Sequence, residues 1–353
     1  MINIKNLDHQ YAYKISSLRR GNDGTIKHTC NIPYKSITID MNSNCFLCYC
    51  DGYLPIPVGK VSDFNSIEEV MNSTIAKQIQ DDVTQKKFTY CATDNCGIKY
   101  KSQSLPSFKL FINIDESCNL SCASCRREIL MLKQGDIFET KLKDLKRIIS
   151  WLEKFNEPIT IVMSGNGDPL ASNILRPLIK DFSPEPNQYF EIFTNGLLVK
   201  KHLAESEIFK KIKEMVISVD AGSKDVYEDV RSPGKWNVLM DNLEFLSNSI
   251  NKNKIVLKFA LQKRNHNDIN NFVDLVERLG FKGIIHELND WGTWNYYEVE
   301  TPDAWTIVNG TYLEHDVLKS NHVLHNKTIS TLKNITSKKV ELSTMIRDII
   351  NAE

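Results

Sequence analysis

Lys109-Leu110-Phe111-Ile112-Asn113-Ile114 is followed, after Asp115-Glu116-Ser117, by Cys118-Asn119-Leu120-Ser121-Cys122-Ala123-Ser124-Cys125. The first stretch reads as a buried strand. The second places three thiols in one short loop directly after it. Beyond the loop, Leu142, Leu145, Ile148, Ile149 and Leu152 recur at helical spacing. Five more strand-like runs follow: Ile159–Met163, Tyr189–Phe193, Met215–Val219, Ile255–Phe259 and Gly283–His286. Helical patterns separate them. The clearest carries Ile269, Phe272, Val273, Val276 and Leu279, opened by Asn267 or Asp268 and closed by Gly280. Repeated strand–helix units predict a parallel sheet with right-handed crossovers. Periodicity alone leaves an open doubly wound sheet and a full or partial barrel both available.

The 353 residues allow two or three domains, and 41% hydrophobic with 25% charged residues is the balance of an ordinary globular protein. Forty-four Lys plus Arg offset forty-four Asp plus Glu, which argues against a wholesale nucleic-acid binder. No apolar run approaches the roughly 20 residues of a membrane-spanning helix. Met1–Lys14 has no apolar core segment, so no signal peptide is expected. The expected compartment is the cytoplasm, without membrane or nucleic-acid partners.

Nine cysteines stand out. Disulfides are unexpected in a reducing compartment, and an odd count cannot pair fully. Cys30, Cys45, Cys48, Cys50, Cys91 and Cys96 precede the first long strand, and Cys118, Cys122 and Cys125 form the loop behind it. Such clustering fits metal or iron–sulfur ligation, which needs converging thiolates. Three thiolates leave one iron of a four-iron cluster open to a substrate or cofactor. A zinc ion with a fourth ligand elsewhere, or buried free thiols, would serve the same spacing.

Other polar groups fall at the ends of the next strands, the chemically competent end of parallel α/β architectures. They are Ser164-Gly165-Asn166-Gly167-Asp168-Pro169, Thr194-Asn195-Gly196 and Ser218-Val219-Asp220. Their matching positions point to one ligand lying across the strand tips.

Residues 107–290 resemble the radical S-adenosylmethionine (radical SAM) superfamily. The CxxxCxxC loop matches Cys118, Cys122 and Cys125. The family's Gly-Gly-Glu-Pro-like motif resembles Asn166-Gly167-Asp168-Pro169, with Asp in place of Glu. Its Thr-Asn-Gly turn resembles Thr194-Asn195-Gly196. The SxD…YExxRxxGxWxxVxxNL pattern of the peptide-modifying branch resembles Ser218, Asp220, Tyr227-Glu228, Arg231, Gly234, Trp236, Val238 and Asn242-Leu243. Ser124 stands where many members carry an aromatic residue. The resemblance implies a partial (β/α)6 barrel and a [4Fe–4S] cluster on the three cysteines. It also implies SAM cleaved by one electron from reduced flavodoxin or ferredoxin, and a 5′-deoxyadenosyl radical that abstracts hydrogen from a substrate. Asn166, Gly167 and Asp168 would face the methionine amino group. Ser218 and Arg231 are candidates for its carboxylate, and Asp220 for ribose or a strand cap. Ser164, Gly165 and Asn195 complete the candidate cofactor site.

The earlier cysteines resemble a SPASM or twitch auxiliary-cluster domain. Cys30 precedes a short hairpin, Ser36–Asp40 with a turn at Asn42-Ser43-Asn44, and Cys48 follows it. Pro57-Val58-Gly59-Lys60, a helix with Ile67, Val70 and Met71, and then Cys91 and Cys96 close the segment. The resemblance implies a second [4Fe–4S] cluster on Cys30, Cys48, Cys91 and Cys96, with a zinc knuckle on the same ligands as the alternative. Cys45 and Cys50 are spare, buried, or ligands of a further cluster. The expected organisation is a polar segment (1–29), a small metal-stapled α+β auxiliary-cluster domain (30–105), the α/β partial barrel (106–298) and a helical C-terminal extension (299–353).

Weaker features are Trp291-Gly292-Thr293-Trp294, a substrate wall or a lid over the core, and Arg126-Arg127, a solvated helix start or an anion contact. His315, His322 and His325 read as surface residues. The resulting expectation is a radical SAM enzyme acting on a peptide or protein by crosslinking, epimerisation or dehydrogenation. A small metabolite or sugar is the other substrate class. A zinc-stabilised, non-catalytic binding protein is the competing reading.

Overall fold

The structure is a computed structural model that describes residues 21–48, 54–93, 96–126, 128–165, 167–289 and 312–353. Ten strands lie among them: β1 (Ser36–Ile39), β2 (Asn44–Phe46), β3 (Gly59–Lys60), β4 (Phe108–Ile112), β5 (Ile159–Met163), β6 (Gln188–Thr194), β7 (Ile212–Ser218), β8 (Ile255–Leu261), β9 (Lys282–Glu287) and β10 (Val340–Leu342). Their order in the sheet is β10-β9-β8-β7-β6-β5-β4-β1-β2-β3. The six runs read from the sequence are β4 to β9. A doubly wound sheet reverses its strand order at a switch point. Here the order follows the chain unbroken from β4 to β10, the winding of a barrel. Among the described residues no helix is long and apolar enough to cross a membrane.

The chain divides into two compact units. One comprises the described residues up to Glu116 with Leu132–Asn166 and Asn173–Glu191; the other is Ser117–Met131, Gly167–Ser172 and Ile192 onward. In the first unit β5 is buried along its whole length, as a parallel strand covered on both faces must be. It pairs in parallel with β4, Phe108 opposite Ile159. Helix Asp136–Lys154 buries Leu145, Ile148, Trp151 and Leu152, the face its spacing predicts.

The cysteine-rich segment contributes strands to the sheet of the first unit. β1 runs parallel to β4 with Ser36 opposite Lys109 and Ile39 opposite Ile112, and β2 turns back antiparallel. All four residues of β1 are buried. Its two isoleucines are removed from water by extending the parallel sheet, and Thr38 Oγ1 is satisfied by donating to the Cys48 carbonyl at 2.5 Å. The hairpin turn forms as expected: the Asp40 carboxylate accepts from the Asn42 and Asn44 N–H groups at 2.9 and 2.8 Å, and Ser43 takes φ 61°.

In the second unit β7, β8 and β9 are parallel, with Ser218 opposite Lys258 and Ala260 opposite His286. Helix Ile269–Leu279 ends at Gly280, whose φ of 73° closes it as predicted. Asp268 sits at its N-cap but spends its side chain elsewhere, accepting from the Gly222 and Ser223 N–H groups at 2.5 and 3.0 Å. The C-terminal extension is not purely helical: β10 pairs in parallel with β9, Val340 opposite Gly283. His315 and His325, read from the sequence as surface residues, are buried; His325 Nε2 meets the Glu353 carboxylate.

Gly222 is where two segments of this unit touch without space for a side chain. A Cβ there would stand 2.0 Å from the Phe272 nitrogen and 2.1 Å from the Asn271 carbonyl carbon, both backbone atoms that cannot swing aside. Gly222→Ala is expected to destabilise the fold by about 3 kcal/mol or more. Thermal denaturation of the purified variant checks this, and an unchanged midpoint would contradict the close approach.

Candidate functional site

The three-cysteine loop has almost no regular structure of its own. It is held by hydrogen bonds to other parts of the second unit. Cys118 N–H donates to the Leu130 carbonyl at 2.7 Å, Ser121 N–H to Ser232 at 2.8 Å and Ala123 N–H to Val230 at 3.2 Å. Within the loop Cys125 N–H donates to the Cys122 carbonyl at 3.0 Å. Cys122 is buried, and Cys118 and Cys125 are half-buried; all three thiols are free.

The strand tips close around this loop. Asn119 accepts from the Asn195 side chain at 2.8 Å, and Ser124 Oγ lies 3.5 Å from Gln262 Nε2. Asp168 N–H donates to the Ser117 carbonyl at 2.8 Å. The Asp168 carboxylate is consumed by the chain itself: it accepts from Leu170 N–H at 2.9 Å, Thr194 Oγ1 at 2.9 Å and Asn195 N–H at 2.6 Å. Burial raises its pKa, and those N–H and O–H donors hold it down only in part. Asp168 thus ties the loop after β5 to the tip of β6.

Asp220 and Arg231 form a second polar knot. Arg231 Nη2 lies 2.6 Å from the Asp220 carboxylate, and Nη1 points at Cys122 Sγ at 3.5 Å. Asp220 also accepts from Ala260 N–H at 2.7 Å and takes φ 56°, the left-handed region that few non-glycine residues enter. Burial raises the Cys122 thiol and the Arg231 charge pulls it back. Cys118 is pushed up to about 12, chiefly by burial and then by Asp168. Ser218 closes β7. Ser164 and Gly165 belong to the first unit, where Ser164 Oγ donates to Asn113 Oδ1 at 3.1 Å. Gly165 has φ 110°, and a Cβ on it would come within 2.8 Å of the Asn113 side chain. Asn166, Arg127, Cys50, Trp291 and Trp294 lie outside the described residues.

Asn113, Asn119 and Gln262 escaped the sequence reading as site residues. Asn119 is a variable position of the cysteine motif, Asn113 ends the first strand run and Gln262 has no motif around it, so only the fold shows their partners.

The first unit gathers four more thiols. Cys30, Cys48, Cys91 and Cys96 line one cavity, with Leu54, Phe88 and Ile98 among the apolar walls. Burial drives the Cys91 thiol well above its ordinary value, and Cys48, Cys30 and Cys96 push it further, as close neighbours would. Cys30 is raised to about 11 by burial. Cys45 stands apart, fully buried on β2 with Asp40, Asp63 and Asp144 as its electrostatic neighbours.

Among the described residues no three His, Cys, Asp or Glu side chains converge to hold a single metal ion. A cubane asks for a different arrangement, since its thiolates bind separate irons and spread around it. The donor set of the loop suits such a cluster: three free, soft thiols with a guanidinium on one of them. Beside them the Gln262 side-chain oxygen is buried with no hydrogen-bond partner among the described residues. An acceptor so placed fits a ligand that brings its own N–H.

No family model matches the chain. It is 28% identical over 134 residues to the GTP 3′,8-cyclase of Alkaliphilus metalliredigens (strain QYMF), covering 38% of this chain and 41% of that protein. It is 24% identical over 164 residues to the mycofactocin maturase MftC of Mycolicibacterium smegmatis, 46% of this chain and 40% of that protein. The chain thus spans well under half the length of these curated relatives. A looser likeness, with TM-score 0.42 at 14% identity over 78% of this chain and 62% of the other, is to Streptococcus suis SuiB bound to precursor peptide SuiA. The sequence matches, with the ordered motifs at the strand tips, point to the radical SAM superfamily.

His286 on β9 is held below its ordinary 6.5, first by burial and then by the Lys258 charge. A depressed folded pKa means that the unfolded chain binds the proton more readily. Stability from the neutral ring is therefore present above pH 6.5 and lost as pH falls through the folded value. His286→Gln, which cannot titrate, is expected to flatten the decline of melting temperature between pH 7 and about 5. Melting curves across that range decide it, and identical slopes for both proteins would refute the assignment.

Proposed function

We propose that the chain is a radical SAM enzyme whose cluster sits on Cys118, Cys122 and Cys125. The observation that carries this reading is the loop itself: three free thiols pinned by backbone hydrogen bonds at the tips of a parallel sheet. Cys118, Cys122 and Cys125 would hold the cluster, which with SAM would supply one-electron cleavage of a sulfur–carbon bond and radical hydrogen abstraction from the substrate. The chain's own residues orient and shield. Asn119, Asn195 and Asp168 fix the loop, and Gln262 offers a buried acceptor to the nucleoside. Reduced flavodoxin or ferredoxin supplies the electron.

The substrate in this reading is a peptide or protein, altered by crosslinking, epimerisation or dehydrogenation. Two features support it: the Ser218–Leu243 pattern that resembles the peptide-modifying branch, and the four thiols around one cavity in the first unit. Those thiols hold a second [4Fe–4S] cluster. The apolar cluster beside them is small, Ile26, Val83, Phe88 and Ile98, with Cys30, Cys91 and Cys96 packed against it. So little apolar surface leaves metal binding to contribute folding energy.

Alanine at Cys118, Cys122 or Cys125 is expected to abolish 5′-deoxyadenosine formation with dithionite and SAM. A single variant that turned over at the wild-type rate would sink the cluster assignment. The triple variant is expected to keep about four irons per chain after anaerobic reconstitution, the content of one [4Fe–4S] cluster. Adding Cys91→Ala is expected to remove that iron and open residues 30–100 to protease. Zinc at about one per chain in place of iron would reject the second cluster and leave a zinc knuckle.

A further inference from the structure

Arg231 resembles, by motif, a residue that would grip the SAM carboxylate, yet its guanidinium is already engaged. Nη2 is in a 2.6 Å ion pair with Asp220 and Nη1 lies 3.5 Å from Cys122 Sγ, a hydrogen-bond distance for a sulfur acceptor. The Arg231 side chain is 15% exposed and that of Asp220 6%. Nε is buried with no hydrogen-bond partner among the described residues. The backbone on both sides is fixed. Arg231 N–H donates to the Tyr227 carbonyl at 2.8 Å, and the Arg231 carbonyl accepts from Gly234 N–H at 2.8 Å. Gly234 leaves no room for drift: a Cβ there would lie 2.6 Å from the Arg231 oxygen and 3.0 Å from the Tyr227 hydroxyl. The neighbouring carbonyls of Val230 and Ser232 are those that receive the Ala123 and Ser121 N–H groups of the cysteine loop.

Asp220 is anchored as firmly. Its N–H donates to the Lys258 carbonyl at 3.1 Å, its carbonyl accepts from Asn265 Nδ2 at 2.9 Å, and its carboxylate takes the Ala260 N–H. A non-glycine residue held at φ 56° by this many contacts is placed there by the surrounding fold. The tip of β8 therefore aims Asp220, Asp220 aims the planar fork of Arg231, and the fork aims a charged N–H at one sulfur of the triad.

Resting on the cluster reading above, we propose that Arg231 tunes the cluster: it donates a hydrogen bond to the Cys122 thiolate and raises the cluster's reduction potential, with Asp220 as its positioning residue. The physical basis is electrostatic. Adding an electron makes the cluster more negative, and a cationic donor on its sulfur stabilises the reduced form more than the oxidised form. The Asp220 carboxylate works in the opposite direction on the same centre while holding the donor in place.

The test is a redox titration of the reconstituted full chain, following the component of the reduced electron paramagnetic resonance spectrum that changes when SAM is added. That component reports the cluster with an open iron and excludes a second, fully ligated one. Arg231→Gln is expected to lower its midpoint by at least 59 mV, a tenfold change in the one-electron equilibrium. Asp220→Asn, which keeps an oxygen acceptor to hold the guanidinium but removes the opposing negative charge, is expected to raise it, with iron content unchanged in both. Opposite signs separate tuning from structural damage, which would move both variants alike or strip iron from both. Arg231→Gln leaves a buried carboxylate unpaired; if it does not fold, the Asp220→Asn/Arg231→Gln double variant substitutes, with a midpoint below wild type expected. A SAM-responsive signal whose midpoint is the same in wild type and Arg231→Gln, or in the double variant, overturns this inference alone. No SAM-responsive signal in the wild-type protein overturns the cluster reading and this inference with it.

Discussion

An irregular loop carrying three thiols has to be held in shape by something other than its own secondary structure, and in this chain backbone hydrogen bonds do the holding. Ser121 and Ala123 donate to the carbonyls of Ser232 and Val230, and Cys118 donates to Leu130. Each such bond contributes only about 1 kcal/mol net, but an unmet buried N–H would cost more. Once those three are made, little backbone freedom remains for Cys118, Cys122 and Cys125. The loop thus inherits the rigidity of the segment at the end of helix Lys224–Val230, which is in turn set by the Arg231–Asp220 pair.

The strand-tip carboxylates show how strictly this frame is specified. In sequence Asp168 reads as a ligand group and Asp220 as a ribose contact or a strand cap. In the fold Asp168 accepts three hydrogen bonds from Leu170, Thr194 and Asn195, and Asp220 accepts from Ala260 and pairs with Arg231. A buried carboxylate without such partners would be costly to keep charged. Both carboxylates therefore act first as braces. The buried Gln262 oxygen beside Ser124 is the acceptor left over for a ligand.

Much of the fold was legible because buried parallel strands are written as short, largely apolar runs. β5 and its neighbours appear in sequence as Ile159–Met163 and its like, and helix ends carry their own signals, such as Gly280. The cysteine spacing was legible for a similar reason: the whole motif is local. What escaped depends on partners far away in the chain. Ser36–Ile39 reads equally well as a strand of a small hairpin module or as an extension of the main sheet; only its register against Lys109–Ile112 distinguishes them. The hydrogen bonds of Asp168 span 26 and 27 residues, and the contact between Asn195 and Asn119 spans 76. His315 and His325 sit in a polar stretch, and their partners are distant: Lys263 N–H donates to the His315 carbonyl, and His325 meets Glu353.

The two cysteine sets consequently stand on different physical footings. The Cys118–Cys125 loop is shaped by hydrogen bonds and an ion pair that exist in the polypeptide alone, so its geometry is set before anything binds. Cys30, Cys48, Cys91 and Cys96 have instead a cavity walled by a few apolar side chains, and burial together with mutual repulsion drives the Cys91 thiol far from ionisation. Thiols in that condition are poor neighbours until something positive sits among them, because ligation needs them deprotonated. A centre that removes those protons turns an electrostatic liability into a staple between segments as distant in sequence as Cys30 and Cys96. The surrounding apolar cluster, built on Ile26, Val83, Phe88 and Ile98, is too small to supply that staple by burial. In the loop, then, the chain itself organises the thiols; in the first unit, on the proposed reading, a metal would organise the thiols for the chain.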